Sequence, residues 1–341
     1  MTQSNVEKVI DMPPAPAKVI ACHVIELDKG DGMMKTWSYP ASERVQMDIC
    51  FRKIAKIKKS ISAAGAIAKY YKYCKTWHYI NISPPLLESG MKIAEKEFLR
   101  IDRVAVVIET EDFNPVRYEE FGNLFIRVFV AEADPTILLR QFLSLVVTGK
   151  CHWENTTIKA SKFDSILPFQ DFRVRSLITT FGIETIVLLT AVLRKQRVVV
   201  YNRKVDGLIR DVLSILALGS RSDNQWDNVY PWVGDNDDEL AQFTDMNFYI
   251  VGCANATIEN RPGFHDIFVN IPAAEISVAS HAKENMMMSK PHKEVALFMV
   301  QLSENEEISE YDLIQEIRKK AQELSIESHQ LKKRASDAEE A

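Results

Sequence analysis

Ser280-His281-Ala282-Lys283 matches a catalytic pattern, Ser-x-x-Lys, in which a lysine amine activates a serine hydroxyl. Patterns of four residues also arise by chance, and Lys283 is not read as catalytic. Cys74 and His78 have a helical spacing on strand-like sequence, which sets them about 13 Å apart, too far for a nucleophile or metal pair. Gly149-Lys150 lacks an upstream glycine at phosphate-loop spacing, and Cys151 stands where that loop needs Ser or Thr. His265-Asp266 falls in a strand pattern and reads as one exposed and one capping residue. There is no Gly-x-Gly-x-x-Gly, His-Glu-x-x-His or Gly-x-Ser-x-Gly. The pattern therefore predicts no catalytic residue, no metal ligand and no cofactor.

Charge is distributed more tellingly. Eight basic residues and no acid lie between Phe51 and Lys75: Arg52, Lys53, Lys56, Lys58, Lys59, Lys69, Lys72 and Lys75. Such a surface attracts anionic lipid by about 1 kcal/mol per well-placed cation. Arg52, Lys53, Lys56, Lys58 and Lys59 are the candidate membrane contacts, though a solvated helix face with its following loop accounts for the same run. Between Arg221 and Asp245, seven acids stand against one base, interleaved with Trp226, Tyr230, Pro231 and Trp232. Aromatics rimmed by charge anchor protein interfaces, making Tyr230, Pro231, Trp232 and Asp235 a candidate partner surface. Packing between a sheet and its covering helix is the other reading; Trp226 is assigned to it, and for Trp232 the two stand level. Met286-Met287-Met288 fits core filling better than a soft groove for a partner helix.

The elements that must carry these residues follow from pattern. The chain has 341 residues, 46% hydrophobic and 26% charged, which excludes a disordered or collagen-like chain and gives enough length for two lobes. A net charge of −5 argues against a dedicated nucleic-acid binder. Five scattered cysteines predict reduced thiols in a cytosolic protein. Neither a signal peptide in the first 17 residues nor a bilayer-spanning stretch is expected, because the apolar run Ile186 to Leu193 is short.

Residues 1–17 read as a flexible arm. Alternation predicts a hairpin from Lys18 to Tyr39 around Asp28-Lys29-Gly30-Asp31-Gly32, then a helix over 43–58. Strands are expected at 66–73, 76–82 and 104–109, and helices at 114–130 and 135–147. Residues 151–170, with Pro168, read as a linker. Thr180 is expected to cap a helix running to Leu193. Arg197-Val198-Val199-Val200-Tyr201 reads as a strand buried on both faces, the habit of a parallel sheet between helices. A helix over 206–218, strands at 247–251, 265–271 and 276–279, and closing helices at 283–302 and 308–324 complete an α/β chain.

Particular phrases then become recognisable. Phe181-Gly182-Ile183-Glu184-Thr185-Ile186, the run Leu188 to Leu193, Arg197 to Tyr201, and Trp226 with Tyr230-Pro231 resemble the core helix and strands of the DENN-domain family. Asp112-Phe113-Asn114-Pro115 with Tyr118, Asn260-Arg261-Pro262, Asp266 to Asn270 and Glu275 to Ala279 resemble its smallest members. The similarity covers about residues 18–303; the acidic C-terminal segment departs from the tail of those members.

The resemblance implies a two-lobed DENN module: a longin-like lobe over 18–150, a linker over 151–170, a core DENN α/β lobe over 171–282, C-terminal helices over 283–327 and a charged tail over 328–341. It also implies guanine-nucleotide exchange on a Rab-family small GTPase in late-endosomal or secretory-vesicle traffic, by stabilising the nucleotide-free GTPase between the two lobes. That regulatory activity needs no covalent chemistry. The alternative it implies is a non-catalytic adaptor associated with coiled-coil subunits of the Commander endosomal-retrieval complex. Either way the protein is expected in the cytoplasm, recruited peripherally to late endosomes or vesicles, with no nucleic-acid partner.

Overall fold

Alternating β-branched residues at the start of the chain form β1 (Val19–Asp28), which pairs antiparallel with β2 (Met33–Tyr39), Val24 lying opposite Trp37. A computed structural model describes residues 17–30, 32–60, 65–94, 100–163, 172–219 and 226–323. Most of the arm assigned to 1–17, Pro168 of the linker and the tail from 328 lie outside the described residues. Helix α1 (Arg44–Ser60) follows, then β3 (Ile67–Tyr73), β4 (Thr76–Ile82) and β5 (Ile101–Thr110). These five strands form one sheet in the order β2-β1-β5-β4-β3. Strands β1 and β5 pair antiparallel at its centre, with Val24 and Val104 to Ile108 fully buried.

Helices α2 (Pro115–Glu132) and α3 (Pro135–Thr148) each begin with proline just inside a capping side chain. Asn114 accepts from the Arg117 amide at 3.1 Å, and Asp134 from the Thr136 amide at 2.8 Å. Helix α2 lays Phe121, Leu124, Phe125 and Val128 into the core beneath β5.

The stretch after α3 departs from the linker expected over 151–170. It opens with a short hairpin, β6 (Lys150–Trp153) and β7 (Thr156–Lys159), in which Cys151 faces Ile158. Trp153-Glu154-Asn155-Thr156 makes the tight turn, with Glu154 at a φ of 49°.

A second sheet is assembled from strands interleaved with helices: α4 (Val174–Phe181), α5 (Thr185–Leu193), β8 (Arg197–Tyr201), α6 (Val205–Leu218), β9 (Val229–Val233), α7 (Asp237–Leu240), β10 (Tyr249–Cys253), β11 (Ile267–Asn270) and β12 (Glu275–Val278). Its order is β12-β11-β8-β10-β9. Strands β11, β8, β10 and β9 run parallel, and β12 closes one edge antiparallel. The expected two-sided burial of Val198, Val199 and Val200 is observed. Helix α6 covers β9 and β10 closely enough that a methyl group on Gly252 would stand 2.2 Å from the Pro231 carbonyl and 2.9 Å from Val212.

Two expectations are corrected here. Thr180 is inside α4 rather than at a helix start, and its hydroxyl donates to the Ser176 carbonyl. The chain breaks at Gly182, whose φ of 56° a side chain would strain, and resumes as α5. His265 and Asp266 precede β11 instead of lying within it. By length and composition the run Val174–Leu193 is apolar enough to cross a membrane, but half of its window is buried in the fold, as in a core helix. Helix α8 (Lys290–Glu304) and helix α9, over 310–323, pack behind it, Leu313 and Ile317 of α9 being fully buried.

By contact the described residues group into two units. One is drawn from 1–42, 57–68 and 79–165, the other from 43–56, 69–78 and 166–341.

Candidate functional site

Strand β9 ends at Val233, and the turn that follows builds its own frame. Asn236 caps α7 by accepting from the Glu239 amide at 3.1 Å. Glu239 reaches back, accepting from the Gly234 amide at 2.7 Å and from Asn236 Nδ2 at 2.9 Å. Glycine at 234 leaves room for this, since an added Cβ would lie 2.4 Å from Glu239 Oε1 and displace the carboxylate.

Lys53 enters this frame from α1. Its ammonium donates to Glu239 Oε2 at 2.7 Å and to the Trp232 carbonyl at 3.0 Å, and lies 4.5 Å from the centre of the Trp232 ring. Tyr71 of β3 completes the enclosure, its ring centre 5.4 Å from the same nitrogen. Burial pushes the Lys53 amine below its ordinary pKa, against the raising effect of Glu239. For Glu239, burial is outweighed by the Lys53 charge and by the hydrogen bonds from Gly234 and Asn236, so its carboxyl stays below the usual carboxylate range.

A second lysine makes a parallel contact. Lys72 Nζ donates to the carbonyls of Trp226 and Asp227 at 2.6 and 2.7 Å, and sits over the rings of Trp77 and Tyr230. Burial, partly offset by Asp227, brings its pKa down to about 8. The β3–β4 turn adds the Cys74 amide donating to Gln242 Oε1 at 2.7 Å, and the Tyr230 hydroxyl donating to the Cys74 carbonyl at 3.2 Å.

The two charge runs singled out in the sequence thus meet each other. Of the four partner-surface candidates, Tyr230, Pro231 and Trp232 are buried and only Asp235 is exposed. This corrects the level reading of Trp232: the ring packs in the core, because β9 is covered on both faces. Asp235 accepts a hydrogen bond from Asn255, which holds its carboxyl below the usual range. Of the membrane-patch candidates, Lys53 is removed from the surface by its buried ion pair. Arg52 is exposed but bonds Asn236 and Asp238, each at 3.3 Å. Lys58 donates to the carbonyls of Asp28 and Gly30. Lys56 and Lys59 remain exposed.

A further group at the start of β8 joins residues that the sequence reading did not connect. Arg197 donates to Asp266 through Nε, at 3.3 and 3.2 Å, and through Nη2, at 2.7 Å, and His281 Nε2 lies 2.8 Å from the same carboxylate. Among the described residues, no group of three or more His, Cys, Asp or Glu side chains is placed to hold a metal. What the arrangement offers is a scaffold of mutually compensating charges.

A family profile described as "SPA: Stabilization of polarity axis" matches residues 173–280. The chain is 28% identical to the human "Putative DENN domain-containing protein 10 B" over 304 residues, covering 88% of this chain and 82% of the relative. It is 27% identical to "DENN domain-containing protein 10" of Danio rerio over 312 residues, covering 91% of this chain and 86% of that protein. The protein of the same name in Dictyostelium discoideum is 24% identical over 318 residues, with the same shares covered. Relatives in animals and in an amoeba therefore share almost the whole length of the molecule, and the chain is a homologue of the DENN domain-containing 10 proteins.

Proposed function

We propose that this protein is a guanine-nucleotide exchange factor for a Rab-family small GTPase, recruited peripherally to late endosomes or secretory vesicles. The observation that carries the reading is the homology with DENN domain-containing proteins over nearly nine tenths of the chain. The chemistry of exchange asks for no general base, metal or cofactor. It asks for a surface that binds the nucleotide-free GTPase more tightly than the loaded one, and by linkage that preference weakens nucleotide binding by the same factor. A scaffold held by buried, mutually compensating charges suits the task, because a surface that holds its shape pays less ordering entropy when the GTPase docks.

The test is release of a fluorescent GDP analogue from a panel of purified Rab proteins with this protein in excess. Acceleration for one Rab names the substrate. Asp235→Lys is the informative variant, as the exposed member of the predicted partner surface, and its release rate should fall toward the uncatalysed value. No acceleration across the panel would overturn exchange and leave an adaptor role, to be pursued by co-purification of partners.

A further inference from the structure

A cavity of about 450 Å³ opens beside the first residues of β8 and β10. Its floor is aromatic. The rings of Phe243, Tyr249 and Phe264 have centres 5.0 to 5.8 Å apart and are buried. Two guanidinium groups line the wall, and they are held very differently. Arg197 is fixed on Asp266 through two nitrogens, with a third bond to the Gly263 carbonyl. Arg261 has a side chain 42% exposed, and its Nη2 donates to Asp237 Oδ1 at 2.8 Å; that carboxylate is itself 91% exposed.

We infer that this cavity binds a small anionic ligand with a planar apolar body, whose carboxylate or phosphate replaces Asp237 on Arg261. The volume lies in the range of small-molecule pockets. The rings, almost wholly buried, give the cavity an apolar floor against which the body of the ligand packs. An exposed ion pair is weak, because water competes for both partners. An incoming anion seated on the rings, partly out of water, makes a stronger charge-assisted bond to the same guanidinium. Asp237 is then a built-in competitor that occupies the arginine when the cavity is empty. Arg197 stays with Asp266, leaving Arg261 as the guanidinium that an anion can take.

The experiment uses the full chain and three probes followed by ligand-observed saturation-transfer NMR: phenyl phosphate, benzoate, and neutral phenol. One or both anions bind and phenol does not; which anion binds better distinguishes a phosphorylated ligand from a carboxylate. Arg261→Ala weakens anion binding by about tenfold or more, the loss expected for one charge-assisted contact. Asp237→Asn does the opposite and tightens it by roughly threefold, because the competitor loses its charge. Both side chains are exposed, and unchanged melting curves confirm that the variants fold. No binding of either anion, equal binding to Arg261→Ala, phenol binding as well as the anions, or no gain with Asp237→Asn would each overturn the inference.

Discussion

Lys53 Nζ and Glu239 Oε2 lie 2.7 Å apart with side chains 2% and 4% exposed, tying helix α1 to the turn after strand β9. A buried pair of this kind costs most when only one partner is removed, since the survivor is left charged and out of water. Lys53→Met should therefore destabilise the protein by about 3–5 kcal/mol. Adding Glu239→Gln to that variant should recover part of the loss. A urea-denaturation cycle over the wild type, both single variants and the double variant checks this, and strictly additive effects would show the pair to be uncoupled.

Trp232 should behave as a core residue. Trp232→Ala is expected to cost about 3–5 kcal/mol of stability, whereas Asp235→Ala should change it by about 0.5 kcal/mol or less. A Trp232→Ala variant that unfolds at the wild-type denaturant midpoint would contradict the burial of that ring.

The lowered pKa of Lys72 makes a pH prediction. When the native pKa of a base is depressed, the unfolded chain binds the proton more tightly. The cost of burying the charged amine is then full below about pH 8 and disappears as the pH rises toward the ordinary value of 10.5. Wild type should gain on Lys72→Met across that window by on the order of a few kcal/mol. The neutral amine still has two N–H groups for the two carbonyls it faces. Denaturation midpoints of both proteins at the two ends of the window decide the matter, and a constant difference between them counts against it.

At the acid end the relevant group is Asp266. Burial alone would raise its pKa, but hydrogen bonds from Arg197 and His281 outweigh burial and bring it to about 2. The stability this carboxylate contributes is complete above the ordinary value of 3.8 and lost as pH falls toward about 2. The advantage of wild type over Asp266→Asn should shrink through that interval in thermal melts; an advantage that persists at the low end would remove Asp266 from the account.

Much of the fold was legible because its strands carry unambiguous patterns, and the misreadings have physical causes. Lys53 was grouped with the surface lysines by charge, yet it stands four residues from both Ile49 and Ile57, on the buried stripe of α1. Helical period was the available signal, and charge obscured it. Val229 to Val233 is an unbroken apolar and aromatic run of the same type as β8, so its two-sided burial was also readable. Its acidic neighbours suggested an exposed patch instead, because sequence shows the charges without showing that Lys53, Arg52 and Lys72 come to meet that segment. Those pairings join residues distant in the chain, and no local pattern encodes them. The hairpin of β6 and β7 was missed because each strand has only four residues, too few for alternation to stand out from an irregular loop.

The pairing of α1 and the β3–β4 turn with residues 226–242 also sets an order of events during synthesis. A ribosome releases Lys53 and Tyr71 long before it releases the strand and turn they pack against. Until then this helix and turn lack their native cover, and apolar surface waiting in that way is what chaperones recognise and aggregation exploits. The closure that ends the wait joins residues 179 apart in the chain, so its entropy cost falls on one late step. A nascent chain stalled before Trp232 would therefore be the most vulnerable form of this protein.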